Sequence, residues 1–119
     1  SNIDEADIVI TNPTHYSVAL KYDASAGGAP TMSAKGIDQM ALHIRTIAIE
    51  HDVEIIQSPA LARSLYYTAE VDEEIPEELF AAVAQVLAFI YQLEEHKKGR
   101  AKRPVPLAKN LPIPEDFKY

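Results

Sequence analysis

Apolar positions along the chain switch between strand spacing and helix spacing. Residues 6–11 contain the β-branched run Ile8, Val9, Ile10, the pattern of a strand buried on both faces. Asn12-Pro13-Thr14-His15 breaks it with turn-type residues. Over residues 16–22, Tyr16, Val18, Leu20 and Tyr22 alternate with Ser17, Ala19 and Lys21, which predicts a second strand. Residues 23–30, with Gly27-Gly28, read as a loop, and 31–35 fit a short third strand. From 36 to 51, Ile37, Met40, Ala41, Ile44, Ile47 and Ala48 recur at spacings of three and four, predicting a helix. Residues 53–57 form another short strand. Ser58-Pro59 then marks a helix start, with the serine capping and the proline in the first turn. That helix runs through Leu61, Leu65 and Tyr66 to about residue 69.

Pro76-Glu77-Glu78 opens the last helix, with acidic residues where the helix dipole favours them. Leu79, Val83, Val86, Ile90 and Leu93 form one helical stripe, and Phe80, Ala84, Leu87 and Tyr91 form a second beside it. One stripe suffices to dock the helix on a sheet. The second indicates either a deeply buried helix or an exposed docking surface. After Glu95 the periodicity stops, and the prolines of 103–106 and 111–114 predict extended chain. The element order gives an α/β (α+β) fold: a small mixed sheet of about four strands with helices packed on it. Residues 1–95 form the folded domain and 96–119 a basic, proline-containing tail.

With 119 residues, 47% of them hydrophobic, the chain holds one core and not two. Without cysteine it has neither disulfides nor thiolate chemistry. No apolar run approaches the roughly 20 residues that cross a bilayer, and no basic-then-apolar leader is visible, so the chain is expected to be soluble. Its net charge of −7 argues against nucleic acid as a partner. The charge is unevenly spread. Residues 96–109 hold Lys97, Lys98, Arg100, Lys102, Arg103 and Lys109 with no acid, leaving five basic against 18 acidic residues elsewhere. Such a tail is expected to be solvated, the alternative being contact with an acidic partner or anionic headgroups.

Asparagine before proline has a restricted chemistry. Ordinary deamidation needs the next backbone N–H as nucleophile, and proline has none. The remaining intramolecular route is attack of the Asn12 side-chain nitrogen on the Asn12 backbone carbonyl. It closes a succinimide and expels the Pro13 nitrogen. The amide is a weak nucleophile, so the rate must come from proximity, from strain in the turn, from the tertiary amide that Pro13 creates, from backbone donors around Thr14 at the developing oxyanion, and from proton transfer by His15. By itself, Asn-Pro is also a common structural turn.

The surroundings of that turn carry more information. The segments DIVITNPTHYSVALKYD (7–23), AKGIDQMALHIRTIA (34–48), SPALARSLY (58–66) and EIPEELFAAVAQVLAFIYQL (74–93) resemble, in order and spacing, the FlhB/YscU family of type III secretion switch proteins. LAFIYQL and NLPIP resemble its flagellar branch more than its injectisome branch. The resemblance implies a cytosolic domain that follows a membrane-embedded part, at the cytoplasmic face of the bacterial inner membrane. It implies self-cleavage between Asn12 and Pro13, with Thr14 and His15 completing the signature and no cofactor or metal. The piece 1–12 is expected to stay paired in the sheet. The domain is implied to take part in switching export from rod and hook subunits to filament-type subunits, together with a secreted ruler of hook length and other cytosolic export components. Docking of these substrates is implied at positions matching Ala29, Pro30, Ala84 and Leu87, of which Ala84 and Leu87 lie on the second stripe.

The chemistry so implied is one self-directed event, not enzymatic turnover. Three other readings remain: an injectisome-type switch, a static docking module that keeps its Asn-Pro turn whole, and a conventional enzyme using His15, His43 and His51. His43 and His51 sit eight apart, without the HxxxH or HExxH spacing of a metal helix.

Overall fold

The computed structural model describes residues 2–23, 25 and 27–119; the loop expected over 23–30 thus falls outside the described residues at 24 and 26. The elements are β1 (Ile8–Asn12), β2 (Tyr16–Lys21), β3 (Thr31–Ile37), α1 (Asp38–Glu50), β4 (Glu54–Gln57), α2 (Pro59–Thr68) and α3 (Phe80–Lys97). Two 3-10 turns, Glu77–Leu79 and Glu115–Phe117, precede α3 and close the tail. The four strands form one mixed sheet in the order β3-β2-β1-β4, with β1 antiparallel to β2 and parallel to β4. This is the α/β sheet-and-helix architecture that the pattern predicts.

Both faces of the sheet are covered, which explains the unbroken apolar run of β1. Ile8 and Ile10 point into a large core with Val18, Leu20, Leu61, Leu65, Val83 and Val86, beneath α2 and α3. Val9 points the other way, into a smaller core with Ala19, Ile44 and Ala48 of α1. The alternation of β2 therefore does not separate core from solvent. Ser17 and Ala19 are as buried as Val18. They are small enough for α1 to lie close, and the Ser17 hydroxyl donates to the Ala41 carbonyl at 2.9 Å, satisfying a buried polar group.

Several local expectations are corrected. Gly36 and Ile37 belong to β3 and not to the helix, because β2 continues to pair with them, Gly36 opposite Ser17 and Ile37 opposite Tyr16. Only Ala41, Ile44 and Ala48 of α1 are buried, and Ile37 and Met40 are exposed. Pro59 begins α2 as expected, yet Ser58 makes no side-chain cap. Its backbone N–H instead donates to Thr11 O at 2.9 Å, tying the helix start to β1.

The tail is not a solvated appendage. Pro104 and Leu111 are buried, and Leu107, Ile113 and Phe117 pack against the large core. Arg63 Nε donates to Tyr119 O at 2.7 Å, and the rings of Tyr67 and Tyr119 lie 5.1 Å apart. The prolines hold this segment extended, and its apolar residues cover the open side of α2 and α3. The basic stretch just after α3 stays in solvent, as do Val105 and the polar residues between the buried anchors.

Candidate functional site: an Asn-Pro hairpin and an apolar hollow

Strand β1 continues one residue further than its apolar run, so Asn12 is a strand residue paired opposite Tyr16. Pro13, Thr14 and His15 form the turn between β1 and β2. His15 N–H donates to Asn12 O at 2.8 Å. The carbonyl that would be attacked is thereby polarised by a backbone donor, which would also meet the oxyanion if the carbonyl carbon became tetrahedral. The donor expected near Thr14 is thus that of His15. Two further bonds pin the turn: Asp38 N–H donates to His15 O at 3.0 Å, and Arg45 Nη1 donates to Pro13 O at 2.9 Å.

Strain is not where it was expected. The Asn12–Pro13 bond is trans, and no residue of 12–15 adopts a left-handed conformation. Nearest the turn, the residue in a left-handed conformation is Asp38, at φ 51° on the first position of α1. Its carboxylate Oδ1 stands 3.5 Å from His15 Nδ1, with the two side chains 72% and 70% exposed. The imidazole is open to water on one side and faces an acid on the other, an arrangement suited to passing protons. Thr14 is exposed. Beside the turn, Tyr16 and Tyr67 share a hydroxyl–hydroxyl bond of 2.8 Å, and Tyr66 packs edge-on against both. The shared hydrogen bond, with desolvation second, raises the Tyr16 phenol above its usual 10.0.

At the other end of β2, roughly 17 Å along the strand at about 3.4 Å per residue, lies an open hollow of about 380 Å³. Ala29, Pro30, Ala84 and Leu87 line it together, joined by Tyr22, Gly27, Gly28 and Phe80. Pro30 is fixed because its carbonyl accepts from Ile75 N–H at 3.0 Å. Of the second stripe, Phe80, Ala84 and Tyr91 are exposed and Leu87 is half-buried. The stripe is a surface and not a core face.

The structure therefore gathers the four positions expected for docking into one apolar hollow, and the four residues of the Asn-Pro-Thr-His signature into one hairpin, with the two apart. Sequence reasoning missed Arg45, Asp38, Tyr22 and Tyr67. Arg45 had one signal, being the sole lysine or arginine of α1. Nothing local ties it to Pro13, 32 residues away. His43 and His51 are exposed. Among the described residues no group of three or more His, Cys, Asp or Glu is arranged to hold a metal, and no helix is long and apolar enough to cross a membrane.

The chain is similar to known proteins over nearly its whole length. It is 48% identical over 118 residues to the flagellar biosynthetic protein FlhB of Salmonella typhimurium, covering 99% of this chain and 30% of that protein. The crystal structure of the cytoplasmic domain of FlhB from Shewanella putrefaciens superposes with a TM-score of 0.94 at 47% identity, covering 99% of this chain and 91% of that one. A crystal structure of a mutated EscU C-terminal domain superposes less fully, with a TM-score of 0.72 at 31% identity, over 75% of this chain and 89% of that one. The chain thus spans under a third of the length of the curated relative. Residues 1–90 match the family described as FlhB HrpN YscU SpaS, and the chain belongs to that family.

Proposed function

We propose that this chain is the cytoplasmic domain of a flagellar type III export component that cuts itself once between Asn12 and Pro13 and receives export substrates in its apolar hollow. The observation that carries the reading is the hairpin, in which the Asn12 carbonyl accepts a hydrogen bond from His15 N–H, while the same residue's side chain supplies the nucleophile. Attack of Asn12 Nδ2 forms the succinimide, the bond to Pro13 breaks, and the proton lost from Nδ2 passes to the Pro13 nitrogen. His15, backed by Asp38, is the group that carries it. Afterwards the piece 1–12 stays in place. Strand β1 is an inner strand held on both sides, with Ile3, Ala6, Ile8, Val9 and Ile10 buried.

The flagellar reading is favoured over the injectisome one because the FlhB domain superposes over the tail as well as the body, covering 99% of this chain against 75% for the EscU domain. Substrates of the early rod and hook type would dock before the switch and filament-type subunits after it, with a secreted ruler and other export components as further partners. The full-length protein would be anchored in the bacterial inner membrane with this domain on its cytoplasmic face. Two substitutions test the two halves of the reading. Asn12→Ala should keep the chain whole where the parent splits, and cleavage in that variant would remove Asn12 from the chemistry. Leu87→Asp should weaken binding of an export subunit while the domain still folds and cuts. Unchanged binding would move docking away from the hollow, and a variant that fails to fold would return Leu87 to the core.

A further inference from the structure

Arg45 occupies a costly position that the cores do not explain. It is half-buried on α1, beside the small core but not of it. Nη1 donates to Pro13 O at 2.9 Å. Nε is buried and finds no acceptor among the described residues. No carboxylate lies within ion-pair distance of the guanidinium among those residues. Drawing a cation into partly dry ground with one N–H unpaired is unfavourable, so the bond to Pro13 O is the contact that the placement secures.

We infer that Arg45 is a positioning residue for the Asn12–Pro13 cut. The inference rests on the self-cleavage reading above. By fixing the Pro13 carbonyl, Arg45 sets the plane of the Pro13–Thr14 peptide. That plane directs the chain into His15, whose N–H must meet Asn12 O. Without the guanidinium, the Pro13–Thr14 peptide can rotate, and the oxyanion donor and the leaving nitrogen lose their common register. Small errors of this kind are expensive in an intramolecular attack.

The charge has a second consequence after the bond breaks. When the Asn12 C–N bond parts, its electron pair stays on the Pro13 nitrogen, which accepts the Asn12 Nδ2 proton to become a secondary amine. At neutral pH that amine takes another proton from water. The new cation then sits on the same residue whose carbonyl contacts a guanidinium that remains charged throughout. The same side chain that held the leaving residue now repels it, which moves the fresh terminus out of the turn and hinders reclosure.

The test is a cleavage time course on freshly synthesised full chain, read by intact mass after denaturation, for the parent, Arg45→Met and Arg45→Lys. Unfolding midpoints of the same substitutions are taken in an Asn12→Ala background. Arg45→Met keeps an aliphatic stem without a donor and should slow cleavage by at least about tenfold, with the midpoint unmoved. Arg45→Lys restores a donor and a charge and should recover most of the rate. Cleavage of Arg45→Met at the parental rate would overturn the inference. So would equal slowing in both variants, or slowing matched by lost stability, since either would make Arg45 a folding residue. A parent that stays whole would instead refute the self-cleavage reading on which the inference depends.

Discussion

At Asn12 the proposed reaction needs two groups of a single residue to meet, and the fold's contribution would be to hold everything around them still. One hydrogen bond closes the turn, from His15 N–H, and two pin it from α1, from Asp38 N–H and Arg45. In the proposed cleavage, proline would serve as the leaving group, because its tertiary amide has a weaker trans preference and releases a more basic secondary amine. Pro13→Ala should therefore slow the appearance of a split product, measured by mass over hours. A variant cutting at the parental rate would remove that role from Pro13. Tyr16 offers a pH test at the same scale. Its phenol is raised above 10.0 mainly by the hydrogen bond to Tyr67, so the neutral form is favoured in the folded state. The associated stability is present below pH 10 and is lost as pH rises through the folded value. In Tyr67→Phe the unfolding midpoint should fall less steeply over that alkaline range. The hairpin of Asn12 to His15 was legible because four adjacent turn-type letters lie between two strand patterns. Arg45 and Tyr67 were not, since each reaches the hairpin only through tertiary packing.

Among the elements, the helix ends show what local pattern did and did not carry. Helix α1 closes in a left-handed turn at Asp52, with Asp52 N–H donating to Ile49 O and Val53 N–H to Ala48 O. Helix α3 closes in the same way at Gly99, whose φ is 75°. Glycine adopts that conformation at less cost than aspartate. Asp52→Gly should raise thermal stability by about 1 kcal/mol and Gly99→Ala should lower it by a similar amount, both readable by calorimetry. Periodicity marked where α3 lost its stripe, but Gly99 marks where it stops. The start of α1 was misplaced for a different reason. Apolar Ile37 fits a helical pattern as well as a strand, and only pairing with β2 decides between them. Gly36 matters at that junction because a Cβ there would come within 2.7 Å of Met40 Cβ, so the first turn of α1 folds directly over the strand. Strand β2 has its own significance, linking the hairpin at Tyr16 to the hollow beyond Lys21. It is the continuous element through which a cut at one end would be felt at the other.

Over the whole molecule, the tail and strand β1 would determine whether a domain cut after Asn12 remains one object. That β1 is covered on both faces was legible from its apolar run, whereas the order of the strands was set only by their pairing. The docking of residues 104–119 was not legible either, because prolines announce extension without saying where the chain lies. Leu111 is buried in the large core from this tail, and Leu111→Ala should cost about 2–3 kcal/mol in denaturant unfolding. No measurable loss would mean that the tail is not held. The inner position of β1 leads to the central expectation that cleavage leaves the folded particle intact and becomes visible only on denaturation. The most direct measurement is the intact mass of freshly purified protein, taken once under native conditions and once after denaturation. The account predicts one native species that resolves, when denatured, into Ser1–Asn12 and Pro13–Tyr119. A single denatured chain at the full 13.2 kDa would contradict it.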